Sequence, residues 1–217
     1  MESVSLSGCG CGNEIKFNGV SAAYKRVLWV VIAINAIMFV VEMAAGSVAG
    51  SQALKADALD FLGDTATYTI TLLVIGLPVV WRARAALFKG LSLGVMGLWV
   101  LGFTLYNVLI LGVPRAEIMG TIGFLALAAN MASVLLLLKY RDGDANVRSV
   151  WLCSRNDAIG NLAVVAAASG VWATETAWPD LVVAGVMASL FLWSSVQIVQ
   201  QALGELRSTH PPLGVAG

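Results

Sequence analysis

Two aspartates one turn apart, Asp60 and Asp64, lie in an apolar run from Leu54 to Val80, and Asp157 lies in another from Val147 to Val171. An ionised carboxylate in hydrocarbon is costly, so each needs a partner or a ligand. On a helix, at roughly 100° per residue, Asp57, Asp60 and Asp64 fall within about 60° of one another. Asp57 reads as a helix cap. Asp60 and Asp64 then remain as an i, i+4 pair suited to a cation. In the later run Cys153 and Asp157 form a second such pair, on one face with Gly160, Asn161 and Val164. At about 1.5 Å per residue, Asp60 and Asp64 lie roughly 13 and 19 Å from one membrane surface. Asp157 and Cys153 lie about 15 and 9 Å from the other. Two facing helices would therefore bring Asp60, Asp64, Asp157 and Cys153 together near the midplane of a core about 30 Å thick. Carboxylate oxygen and thiolate sulfur suit tetrahedral zinc, whereas magnesium and calcium prefer six or more hard oxygens. Such ligands must lose protons to bind, so metal and protons compete for one site, which is the core of an exchange mechanism.

These pairs need helices that hold them at depth, and the composition supplies them. Of 217 residues 59% are hydrophobic and 12% charged, which indicates an integral membrane protein and excludes a soluble globular domain. A net charge of zero with no basic run gives no reason to expect nucleic acid. Cys9, Cys11 and Cys153 are no disulfide framework. The first apolar run starts at Val27, too late and too long for a cleaved signal peptide. Six runs follow, roughly 27–48, 54–80, 85–112, 118–138, 147–171 and 178–203, each able to span the bilayer. The expected fold is an all-α membrane protein of six transmembrane helices. A flexible tail (1–24) precedes a transport domain (25–205), and a short tail (206–217) follows it.

Lys16, Lys25, Arg26, Arg82, Arg84, Lys89, Lys139, Arg141, Arg148 and Arg207 gather on one side of that arrangement. Only Lys55 and Arg115 flank the other, and Arg155 is intramembrane, so both termini are expected in the cytoplasm. Ala56-Asp57-Ala58-Leu59 is echoed by Asn156-Asp157-Ala158-Ile159, as two inverted three-helix halves would produce.

The run Ser51 to Asp64, with Ala56-Asp57-Ala58 leading into Asp60-xxx-Asp64, resembles the helix-two signature of the cation diffusion facilitator transporters. Asp157 fits the final Asp of that family's helix-five pair, and Cys153 departs from it by standing where His or Asp is usual. The resemblance extends over about 27–203. It implies export of a divalent metal ion by proton antiport and alternating access, in a homodimer, with no cofactor and no enzymatic activity. The membrane it implies is the inner membrane of a prokaryote, with the lipid bilayer and protons as the further partners. The family's usual cytoplasmic C-terminal domain and His-rich loop are expected to be absent, His210 being the one histidine. Cys153 tilts the metal towards zinc and cadmium.

Several other residues carry alternatives. Cys9-Gly10-Cys11 is either a soft-metal trap or an incidental thiol pair. Glu42 pairs with Lys55 or acts as a proton carrier or gate. Arg155 pairs with an acid or snorkels. Asn161 supports the site or bonds to a neighbouring helix. Gly90 and Gly94 form a GxxxG for close packing or for dimerisation. A passive metal channel is the nearest competing function, and a metal-dependent membrane phosphotransferase a more distant one.

Overall fold

The computed structural model of the chain describes residues 21–74, 79–108, 112–142 and 145–209. Its regular structure is helical throughout the described residues. The helices are α1 (Ala22–Ala49), α2 (Gln52–Val74), α3 (Val79–Val108), α4 (Ala116–Leu137), α5 (Ala145–Thr174) and α6 (Trp178–Thr209). A 3-10 turn, Leu138–Tyr140, prolongs α4. Four stretches are long and apolar enough to cross a membrane: Ala22–Ala49, Ala86–Tyr106, Ala116–Tyr140 and Trp178–Gly204. The two helices without such a stretch, α2 and α5, are the two that carry Asp60, Asp64 and Asp157. Large apolar side chains, among them Ile37, Val95, Phe124, Leu135, Trp172 and Trp193, point outward. A bundle with an apolar exterior and its charges turned inward is an all-α membrane protein.

The helices form two bodies. In one, α1 packs on α2, α4 on α5, and α1 on α4; in the other, α3 packs along α6 in the most extensive seam of the molecule. The α3–α6 seam rests on small residues. A Cβ on Gly90 would come within 2.9 Å of the Val199 side chain, and one on Gly94 within 2.7 Å of Ser195 Oγ. Ser195 Oγ donates to the Gly90 carbonyl at 2.7 Å. The GxxxG face is therefore spent on α6 of the same chain, which is close packing rather than a free dimerisation surface.

The cores explain where space remains. Towards one end Leu54, Val100, Met119, Val164 and Phe191 join both bodies in one cluster. Towards the other end Tyr24, Leu28, Tyr68, Leu137 and Val150 pack together, and among the described residues this cluster takes in none from α3 or α6. The pair α3–α6 is thus keyed into the protein at one end and stands off at the other.

At the keyed end the chain turns tightly from α1 into α2. Gly50 adopts φ 73°, a left-handed conformation that costs glycine nothing, and caps α1 by donating to the Gly46 carbonyl. Ser51 then caps α2, its Oγ accepting from Leu54 N–H at 3.0 Å. Asp180 of α6 completes the cap. It accepts from Ser51 Oγ at 2.5 Å, from Gln52 N–H at 2.7 Å and from Ala53 N–H at 3.0 Å. Asp57, five residues into α2, is no cap; the sequence gives no view of where α2 begins, and Ser51 and Asp180 fill that role. The first helix likewise starts at Ala22, before the apolar run, with Ser21 accepting from Tyr24 N–H.

Candidate metal centre

A cavity of about 520 Å³ opens between the two bodies. From α2 it is lined by Asp60, Asp64 and Thr67, from α5 by Cys153, Asn156 and Asp157, from α3 by Lys89 and Ser92, and from α6 by Ser194. The lining runs over 60–70 of α2, 88–96 of α3, 153–160 of α5 and 187–198 of α6, the middle of each helix. The cavity therefore lies at mid-depth between the two bodies, bounded on the side of the Asp180 network by Met187 and Phe191 of the keyed cluster. All four sequence-derived candidates, Asp60, Asp64, Asp157 and Cys153, share it.

The register between α2 and α5 is set by Tyr68, one turn beyond Asp64. Its buried hydroxyl lies 3.3 Å from Ser154 Oγ and 3.4 Å from the Val150 carbonyl, to which it donates. This contact holds Asp64 level with the segment that carries Cys153 and Asp157. On the other flank of α5 the side-chain amides of Asn130 and Asn161 meet at 3.2 Å. Asn161 thus makes the bond to a neighbouring helix, with α4, that the sequence allowed. Tyr68 thus ties α5 to α2 and Asn130 ties it to α4, while Cys153, Asn156 and Asp157 line the cavity.

The carboxylates of Asp60, Asp64 and Asp157 are mutual neighbours. Asp64 and Asp157 each keep a buried oxygen with no hydrogen-bond partner. Buried carboxylates without donors are expensive and are retained where a proton or a cation supplies what the protein does not. Among the described residues, no three His, Cys, Asp or Glu side chains form a ready-made metal-binding group. The carboxylates instead face a shared space, from which a cation would draw them in. Cys153 is half-buried, with a free thiol, and it divides its surface between the cavity and the apolar cluster around Tyr24 and Tyr68.

Other sequence expectations resolve differently. Glu42 is fully buried and neither of its oxygens has a hydrogen-bond partner, so it forms no pair with Lys55. Its acidic neighbours are Asp57 and Asp60. The acidic stripe of α2 is consequently divided, Asp57 turning to α1 while Asp60 and Asp64 face the cavity. Arg155 is exposed; it donates to Asn156 Oδ1 at 3.2 Å and lies 5.5 Å above the Trp151 ring, leaving the acids of the cavity alone. Lys89, expected among the flanking basic residues, lines the cavity instead. Cys9, Cys11 and His210 lie outside the described residues.

The roles of Tyr68, Asp180 and Lys89 escape sequence reasoning. Asp180 offers the faint signal of an acid just inside an apolar run, and Tyr68 that of a hydroxyl one turn after Asp64.

The family model for the cation efflux transmembrane domain matches residues 28–77 and 82–206, a span that takes in all six helices. No curated protein matches the chain. With carboxylates of α2 and α5 meeting in one cavity between the helices and this match over most of the sequence, the chain belongs to the cation efflux family, whose members are membrane transporters rather than enzymes.

Proposed function

We propose that the protein exports a divalent metal cation, zinc or cadmium by preference, in exchange for protons, and that Asp60, Asp64, Asp157 and Cys153 hold the cation in transit. One observation carries this reading: two helices deliver three carboxylates to a single cavity between the two bodies, and the bundle is packed and capped on one side of it. Arg26, Arg84, Lys139 and Arg207 sit at the end opposite the Asp180 clamp, at the start of α1 and α3 and the end of α4 and α6. By the bias of basic residues towards the cytoplasm, that end faces inward and both termini are cytoplasmic. The arrangement then corresponds to an inward-open carrier, in the inner membrane of a prokaryote, with residues 25–205 as the transport unit.

The chemistry follows from the donor set. A dication entering from the cytoplasm displaces protons from the carboxylates, because the ligands bind it only when deprotonated. The carboxylates supply charge and hard oxygen donors, and Cys153 supplies sulfur, which favours zinc and cadmium over manganese. The small-residue seam holds α3 and α6 together as a unit, so access changes by movement of that unit against the other four helices. Release outside is followed by return of protons to the acids, which resets the carrier. Assembly is as a homodimer through the membrane helices. A passive channel would need a polar path through the keyed end, which is filled by Leu54, Val100, Met119 and Phe191.

The test is metal flux in proteoliposomes with and without an imposed pH gradient, run with zinc, cadmium and manganese. Flux that follows the proton gradient, and prefers zinc and cadmium, is the expected result. Flux indifferent to the gradient would identify a channel and overturn the exchange reading.

A further inference from the structure

A positive side chain in the wall of a cation site works against the cargo, and this cavity has one. Lys89 sits in α3, on the body opposite the carboxylates, and shares the cavity with Asp60, Asp64, Asp157 and Cys153. Its side chain is half-buried in the cavity wall. Among the described residues the ion pair within 4.0 Å is Arg141–Asp142, so Lys89 is not locked onto any one acid. It lies close enough to Asp60, Asp64 and Cys153, across the shared cavity, for its charge to reach them through space.

The charges can be counted. With the Cys153 thiol protonated, three carboxylates and one ammonium sum to two negative charges, the complement of one dication. Without the lysine the same walls would carry three, and a bound dication would leave the intramembrane site charged, which a low-dielectric interior resists. With a thiolate the lysine halves the excess left over a dication, from two charges to one. A lysine is suited to this task because its charge is compact and its four-carbon stem lets the ammonium stand back from the ligands.

We propose that Lys89 is a built-in counter-charge that matches the cavity to divalent cargo and holds its affinity low enough for release. The proposal rests on the reading of Asp60, Asp64 and Asp157 as the cation site. Lys89 is not a ligand; it acts through the field it places on the ligands. Because it hangs from the α3–α6 body, its distance from the carboxylates changes whenever the two bodies move, and it thereby links occupancy to conformation in both directions.

The experiment compares full-length protein, with Cys9 and Cys11 changed to serine, in lipid nanodiscs. Lys89→Met and Lys89→Gln both remove the charge, so a folding failure in one leaves the other to report. Zinc and terbium are titrated separately, the trivalent ion serving as a probe of site charge. We expect zinc to bind about tenfold tighter to the neutral variants, with a larger gain for terbium, and net zinc flux to fall about tenfold as release slows. Lys89→Arg, which restores the charge, returns both affinities towards the starting values. Unchanged or weaker zinc affinity in both neutral variants would overturn the proposal. Asp64→Asn is the separate control: if it binds zinc as well as the starting protein, the reading of the cavity has failed, whatever Lys89 does.

Discussion

Asp180 and Asp64 are the same side chain, each buried within the helical bundle, in opposite circumstances. Asp180 receives three donors, a hydroxyl and two backbone N–H groups, and each of them belongs to the start of α2. Asp64 has an oxygen with no donor and lies against Asp157, which is in the same condition. A carboxylate whose lone pairs are occupied by the fold is structural, because the protein has already supplied the positive partners. A carboxylate left unsatisfied beside another acid is open to a partner from outside, which is the role we propose for Asp64 and Asp157. The bundle separates those uses, with a clamp at the keyed end and a receptive site at mid-depth between the two bodies.

The largest effect that would sharpen this contrast is on transport. Asp64→Asn and Asp157→Asn should each lower zinc flux at least about 100-fold, since a ligand loss should exceed the effect of losing a supporting residue. Thermal unfolding of these variants should stay at or above that of the unaltered protein, because an unpaired buried charge has been removed. Flux assays and thermal scans on the same preparations check both statements. If either variant transports normally, that residue leaves the site.

Asp180→Ala should do the reverse. It strands Ser51 and two N–H groups in the interior, for a loss of about 3 kcal/mol in stability. Ser51→Ala should cost about 1 kcal/mol, and the double variant should cost less than the sum, because the two residues share one network. Denaturation curves in a single detergent give all three values. Losses that add without coupling would break the account of the clamp.

The seam between α3 and α6 should respond next. Gly94→Val pushes a branched side chain at Ser195 and should cost about 2 kcal/mol, whereas Gly102→Ala, which meets open space, should cost nothing measurable. Equal stability of the two variants in thermal scans would remove the seam from the argument.

How much of this was legible beforehand differs by residue, for a physical reason. The acids at 60, 64 and 157 stand out in sequence because hydrocarbon penalises charge whatever the surrounding fold. The spacing of apolar runs likewise marks six helices. Lys89 was hidden because α3 starts at Val79 and not at the apolar run near Ala85, which places the lysine deeper than its position among basic residues suggests. Asp57 was misread for the same cause at the start of α2. The clamp of Asp180 on Ser51 joins residues far apart in the chain, and no local pattern encodes such a contact. Glu42 and Lys55 are close in sequence yet form no pair, since helix faces and not sequence distance decide who meets. The glycines of α3 were visible as a packing motif, but their partner, α6, was not.

The smallest expected effect concerns Cys153, which is shared between the cavity and an apolar cluster. Cys153→Ala should weaken cadmium transport a few-fold relative to manganese, as loss of a soft donor would. Unchanged relative rates across the metals would assign the thiol to packing alone.

The most direct measurement of the central claim is zinc binding by calorimetry to the purified chain carrying Cys9→Ser and Cys11→Ser, before and after Asp64→Asn and Asp157→Asn. The account predicts a binding event that both substitutions abolish and that Asp180→Asn leaves in place. Zinc binding that survives the loss of Asp64 and Asp157 together would contradict it.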